Sequence, residues 1–398
     1  MQFLKKPLTL MTILVFLILV FNIFTFGKAF ELEVYLEATS KFLMGLDPYS
    51  RTDLHFKYPP WIISFFSPFL LLPFQYSSFL WRVLLLICVI QIYRKFKNDA
   101  KNQKHSQMAL SLAFLINIGS WNSNLQGGQI TLLMMYLLFF SDSLLEDSST
   151  QTPGKTSLQH LKEYLGYIIF TLVSTIKVVQ APMLLLYGIH RRLVFSVITT
   201  ALICLALLIP GLAQQTFFWN PIKLIQSWLV HGRISELTGT GFIVKESLGL
   251  PSLCVRILNI QVFELKHLIL FSLLPMTLLS LLSFRMITLK KLSRLEALST
   301  CISFSGIVGP LVFPYTFAWH FPLTYFFLKE WLSKKTHRRT LSLGLLGLIM
   351  TYVIHANTWP FGGMIKNYLF FYSTRSVGAL LTLLSFLVTR WTLEKPKA

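Results

Sequence analysis

Long uncharged runs separated by short polar breaks set the pattern of this chain. Residues 8–26 carry no charge and follow Met1-Gln-Phe-Leu-Lys-Lys. Further apolar runs lie near 75–93, 108–120, 129–141, 164–177, 179–189, 193–212, 267–284, 297–313, 319–332, 341–356 and 372–389. A helix needs about 20 apolar residues to cross a bilayer, so the pattern predicts an all-α polytopic membrane protein with about 12 (10–13) transmembrane helices, several of them short. The first run is too long for a signal-peptide core and no small-residue cleavage site follows, which predicts an uncleaved first span. Residues 164–189 are interrupted by Lys177, Gln180 and Pro182. They fit either two crossings or one re-entrant pair.

A different pattern occupies residues 28–74. Between Phe30 and Met44, Leu32, Leu36 and Leu43 stand at i, i+4 and i+11, a spacing that predicts a short helix lying at the interface with one apolar face. Gly45 then ends it and Asp47-Pro48 opens a turn. After Tyr58-Pro59-Pro60-Trp61 an apolar stretch reaches Leu72, interrupted by Pro68. It is too short to cross, and the prolines predict a second interfacial or re-entrant helix. Two such elements form a floor beneath a cavity open to lipid.

Composition strengthens the membrane reading. The 398 residues are 54% hydrophobic and only 13% charged, against roughly 25% charged in soluble domains. That excludes a soluble enzyme, a disordered chain and a disulfide scaffold. The net charge of +20 comes from 36 Lys and Arg against 16 Asp and Glu. More than half of the basic residues fall in the clusters Lys5–Lys6, Arg94–Lys104, Arg191–Arg192, Arg285–Arg294, Lys334–Arg339 and Arg390–Lys397. These stand at every second connection, which marks the cytoplasmic side. Both termini are then cytoplasmic, in the plasma membrane. The basic excess is a topology signal, and no nucleic-acid partner is expected. The long connections, residues 28–74 and 213–265, are extracytoplasmic, and residues 1–398 read as a single integral membrane unit.

The chain has no GxxxxGK[ST], no GxGxxG and no Asp-x-Asp for a metal-bound nucleotide sugar. Cys88, Cys204 and Cys301 fall inside apolar runs and Cys254 stands alone, so neither a metal site nor a cofactor is expected. Chemistry, if present, belongs to the outer face. Five of the sixteen acids crowd there within residues 31–53: Glu31, Glu33, Glu37, Asp47 and Asp53. Glu33 and Glu37 read as a solvated face. Glu31 shares a stripe with Tyr35 and is the better candidate for a functional acid. Asp142, Glu163, Glu264, Glu296 and Glu330 lie at the ends of the predicted spans. Trp121, Trp219 and Trp359 are placed on outer loops.

The same outer-loop residues carry a resemblance. Glu31-Leu32-Glu33-Val34-Tyr35-x-x-Ala38, Gly45-Leu46-Asp47-Pro48-Tyr49 and Phe56-Lys57-Tyr58-Pro59-Pro60 resemble the first outer loop of glycosyltransferase family 87, in the GT-C superfamily of polyprenyl-phosphate-sugar-dependent transferases. Gly128-Gln129-Ile130, Ile176-Lys177 and Phe313-Pro314…Trp319-His320 resemble later stretches of that family, in order. The chain departs from the family pattern in two places: Glu31 stands where the family has Asp, and Val178 where it has Pro. The resemblance implies a GT-C-type bundle that moves a hexose, classically mannose, from a polyprenyl-phosphate carrier to a glycan or glycolipid hydroxyl outside the cell. It implies Glu31 as general base and His320 and Lys177 in a phosphate cradle, to which Arg375, outside any motif, is added as a further cation near the start of the last run. Tyr35, Asp47, Tyr58, Gln129 and Trp319 would line the substrate cavity.

Two rival classes stay open. A polysaccharide polymerase or ligase would use the same donor but favours an arginine-rich outer loop, whereas residues 213–265 hold only Lys223, Arg233, Lys245 and Arg256 as basic residues. A lipid-linked-sugar transporter or flippase is expected to bury an acid in mid-span or to repeat its halves. Neither feature is read from this chain.

Overall fold

The computed structural model describes residues 5–25, 29–50, 56, 58–101, 103–149, 157–188, 191–209, 224, 226–228, 249–258, 260, 265–309, 314–333, 338–353 and 374–392. Regular structure there is entirely helical. The α-helices are α1 (Lys5–Thr25), α2 (Phe30–Leu43), α3 (Phe74–Ala100), α4 (Lys104–Ile116), α5 (Ile118–Gly127), α6 (Thr131–Ser149), α7 (Ser157–Ile176), α8 (Arg191–Ala206) and α9 (Leu250–Ile257). Then come α10 (Leu265–Leu268, continued through a π-helical stretch Ile269–Leu273 into Leu274–Thr288), α11 (Arg294–Val308), α12 (Phe321–Ser333), α13 (Arg338–Leu348, with a π-helical end Ile349–Val353) and α14 (Thr374–Thr392). Three 3-10 helices interrupt the series: the first at Pro60–Leu71, the second at Val178–Tyr187 and the third at Pro314–His320.

Both elements expected in the first outer loop are present. In α2 the buried face holds Leu32, Val34, Tyr35, Leu36, Ala38, Thr39 and Phe42, and Gly45 follows it at φ +70°, the left-handed conformation that glycine adopts without strain. The second element begins at Pro60, where a missing N–H costs nothing, and is a 3-10 helix packed against α2.

Length and composition support fewer full crossings than the apolar runs suggest. Phe74–Ala100 and Lys266–Thr288 are long and apolar enough to span alone, and Ile118–Gly127 with Thr131–Glu146, bent by 113°, makes a broken third. Thr12–Phe24, Pro60–Leu71, Val178–Tyr187 and Arg192–Ala206 are apolar but shorter. Leu14, Leu17, Phe21 and Phe24 on α1, and Leu278 and Leu281 on α10, are exposed, a surface that lipid solvates and water does not.

Ion pairs bind one end of the bundle. Asp142 of α6 meets Lys95 of α3 at 3.2 Å and Arg294 of α11 at 2.8 Å. Lys329 of α12 meets Asp99 at 2.9 Å. Arg390 of α14 joins Glu330 at 3.2 Å and also pairs with Glu296, while Arg192 pairs with Glu163. Glu296 additionally completes a capping box with Ser293 at the start of α11, satisfying orphan N–H groups there.

α6 and α7 run past the apolar stretches that Asp142 and Glu163 bound, and both acids are buried there with Lys95, Arg294 and Arg192 facing them. One expectation is corrected. Trp121 is not on a loop but within α5, 1% exposed, with its ring 5.3 Å from that of Phe321. Asp53, Lys57, Trp219, Glu264, Phe313, Trp359 and most of residues 213–265 lie outside the described residues.

Candidate functional site

The break between α5 and α6 is where distant motifs meet. Gly128 sits at φ +72°, and a Cβ there would fall 2.7 Å from Ala29 Cβ and 3.3 Å from Trp81 Cδ1. Only glycine fits that backbone and that space. The turn is held by Trp81 Nε1 donating to Gly128 O at 2.7 Å and by Gln129 N donating to Asn124 O at 3.0 Å. Gly127 packs against Phe30, so the turn rests on the two residues that precede Glu31. Thr131, at its other side, accepts from Trp319 Nε1 at 3.1 Å. One short turn therefore touches both the start of α2 and the third 3-10 helix.

Around that helix the cationic residues gather. Lys177 Nζ lies 4.6 Å from the Trp319 ring centroid, a cation–π contact. The Arg375 guanidinium lies 5.7 Å from the Phe317 ring, and Phe317 stacks on His320 at 5.4 Å. Trp319 is fully buried, and its carbonyl accepts from Ser303 of α11 at 2.9 Å. His320 is 3% exposed, and among the described residues its Nε2 lacks a hydrogen-bond partner; Arg375 Nε and both amide atoms of the buried Gln129 are likewise unpartnered there. A polar atom sealed from water without a partner costs roughly 1–3 kcal/mol, so these atoms mark a place built to receive a polar group.

Other expected residues are arranged differently. Tyr35 and Tyr58 meet edge to face at 5.7 Å within an aromatic floor that includes Phe56 and Phe66. Trp61, next along the floor, donates to Thr175 at 3.2 Å, two residues from Lys177. Asp47 faces its own loop: one carboxylate oxygen accepts from Tyr49 N at 2.9 Å and the other from the Ser227 hydroxyl at 2.8 Å, an Asx turn tied to a second segment. Glu31 is half-buried in the first turn of α2, where the helix dipole favours a negative charge. Among the described residues no three His, Cys, Asp or Glu side chains gather closely enough to hold a metal ion.

Tyr352 and Asn117 have no sequence signal yet belong here. Tyr352, in the π-helical end of α13, donates to Asn117 Oδ1 at 2.7 Å and lies 3.3 Å from Phe317 O. Next to it, Thr351 donates to Arg375 O at 3.3 Å. A π-helical turn shifts side-chain register by one residue, which aims both hydroxyls at the Phe317–Arg375 pair and hides them from an ordinary helical reading.

A family model described as Glycosyltransferase family 87 matches residues 56–314. That stretch contains Tyr58, Gln129 and Lys177; Glu31, Tyr35 and Asp47 precede it, and Trp319, His320 and Arg375 follow it. No curated protein and no solved structure matches the chain.

Proposed function

The chain belongs to glycosyltransferase family 87, and from that premise we propose that this membrane glycosyltransferase moves a hexose, mannose in the first instance, from a polyprenyl phosphate to an acceptor hydroxyl on the extracytoplasmic face. The observation that carries the reading is the convergence on Pro314–His320 of two cations, Lys177 and Arg375, with the buried, unpartnered His320 Nε2. A phosphate diester anion satisfies all three.

In the proposed step the acceptor oxygen attacks C1 of the sugar while Glu31 takes the hydroxyl proton. The C1–O bond to phosphate breaks, the anomeric centre inverts, and polyprenyl phosphate leaves with its new charge facing Lys177, Arg375 and His320. Gln129 and the floor of Tyr35 and Tyr58 line the cavity. In this reading Asp47 shapes the outer loop rather than touching substrate. The whole chain is one GT-C-type unit with about twelve crossings, the shorter apolar helices counted with their neighbours. Both termini lie in the cytoplasm, and 28–74 and 213–265 are its outer loops.

The test is transfer from radiolabelled polyprenyl-phosphate mannose by the purified protein, wild type beside Glu31→Gln. Movement of the sugar-lipid across liposomes, with no transfer from any polyprenyl-phosphate sugar, overturns the reading in favour of a flippase.

A further inference from the structure

Deeper in the bundle lies a second set of buried polar atoms that the catalytic reading does not use. Gln180 is fully buried, and among the described residues neither its amide nitrogen nor its amide oxygen has a partner. The Ser299 hydroxyl of α11 is also buried and unpartnered. Gln180 sits on the second 3-10 helix, a ten-residue run of a conformation that rarely exceeds four residues and often marks function when it does.

Two contacts fix the register of this helix against α11. At its inner end the Arg294 guanidinium lies 4.4 Å from the Tyr187 ring. At its outer end Lys177 covers Trp319, whose carbonyl is bonded to Ser303. Gln180 stands seven residues above Tyr187, about 14 Å at the 3-10 rise of ~2 Å per residue. The same climb along α11, at ~1.5 Å per residue, is about nine residues and reaches Ser303, while reckoning from the outer contact, with Gln180 about 6 Å inward of Lys177, reaches Ser299. The 3-10 helix packs on α11 as well as on α10 and α7, and the two contacts set Gln180 at the level of the Ser299–Ser303 turn. With three residues per turn, Gln180 also follows Lys177 on the same face. The unpartnered amide therefore lies one turn inward from the cation that meets the phosphate in the proposed function.

A phosphate diester accepts from the amide N–H but leaves the amide oxygen without a donor, and a polyprenyl chain satisfies neither atom. A sugar hydroxyl, which donates and accepts at once, suits it. We propose that Gln180, with Ser299 beside it, binds hydroxyls of the donor's sugar ring and sets which sugar is accepted. This inference rests on the reading of the chain as a polyprenyl-phosphate-sugar transferase, and its test does not need turnover.

The test compares thermal unfolding of detergent-purified wild type and Gln180→Leu with bare polyprenyl phosphate and with polyprenyl phosphate carrying mannose, glucose or arabinose. In wild type at least one sugar raises the midpoint beyond the bare lipid; in Gln180→Leu that increment disappears while the shift from bare lipid remains. Without lipid, Gln180→Leu is as stable as wild type or more so, because an unpaired buried amide has been removed. Where transfer is measurable, KM for the sugar-lipid rises about tenfold, the loss of one good hydrogen bond, with kcat little changed. A sugar increment that survives in Gln180→Leu overturns the proposal, as does a wild type that cannot tell any sugar-lipid from the bare lipid. Gln180→Met repeats the test with a more adaptable side chain. Failure of both variants to fold marks the amide as structural and also overturns the proposal. A wild type that gains the sugar increment but transfers nothing refutes the proposed function while leaving the Gln180 subsite standing.

Discussion

The ammonium of Lys177 stands 4.6 Å from the ring centroid of Trp319, joining a 3-10 helix in the first half of the chain to one near its end. Each residue holds the other in place: the indole N–H is pinned by the Thr131 carbonyl and the Trp319 backbone by Ser303, and the cation is drawn to the indole face. On this geometry Lys177→Met loses roughly 10- to 150-fold in transfer, the range of a hydrogen bond to a charged group. Lys177→Arg keeps part of it. Steady-state kinetics with a polyprenyl-phosphate sugar decide the matter, and full activity in Lys177→Met removes the residue from the cradle.

Glu31 carries the sharper chemical expectation. Glu31→Gln keeps the shape of α2 and loses the base, so turnover drops about 10²- to 10⁴-fold with little change in thermal stability. Glu31→Asp keeps a carboxylate on a shorter side chain and retains more activity than Glu31→Gln. Equal rates for wild type and Glu31→Gln would mean that the proton leaves by another route.

Much of this was readable from residue order alone. The helix at Phe30–Leu43, its end at Gly45 and the proline-led element after Pro59 follow from local rules of spacing, capping and missing donors. Gln129, Lys177 and His320 were marked by the company they keep along the chain. What local rules do not carry is register and compensation. Tyr352 and Thr351 reach the site through a π-helical turn, and Gln180 has the look of a mere interruption until its burial is known. Asp142 was placed at a span end because an acid interrupts an apolar run. Its helix continues because Lys95 and Arg294, remote in sequence, neutralise it.

The α5–α6 turn gives a prediction about folding. Gly128→Ala must adopt a positive φ, costing about 1–2 kcal/mol, and must push against Ala29, costing a further 1–3 kcal/mol. A loss of about 2–5 kcal/mol is expected, read as a lowered unfolding midpoint and a smaller monodisperse fraction in detergent. Ala29→Gly beside it relieves the contact and recovers part of the loss. Should Gly128→Ala match wild type, the turn does not clamp α2 as described.

Asp142 separates an ion pair that builds the bundle from an acid that carries protons. The carboxylate is buried, with Lys95 at 3.2 Å, Arg294 at 2.8 Å and the Tyr187 hydroxyl donating at 3.2 Å. Removing its charge leaves two cations facing each other in a poorly solvated place, a change that costs about 3–5 kcal/mol in buried pairs. Asp142→Asn should therefore unfold much more easily. In the molecules that remain folded, KM and kcat for sugar transfer should be those of wild type, because the site on the third 3-10 helix is untouched. Pairing Asp142→Asn with Lys95→Met removes one of the two cations and should return part of the stability. A proton-coupled carrier behaves in the opposite way: Asp142→Asn would fold as well as wild type and lose pH-driven movement of the sugar-lipid in liposomes. Measuring midpoint and flux on the same preparation distinguishes the two, and undiminished stability with lost flux would displace the glycosyltransferase reading of this end of the bundle.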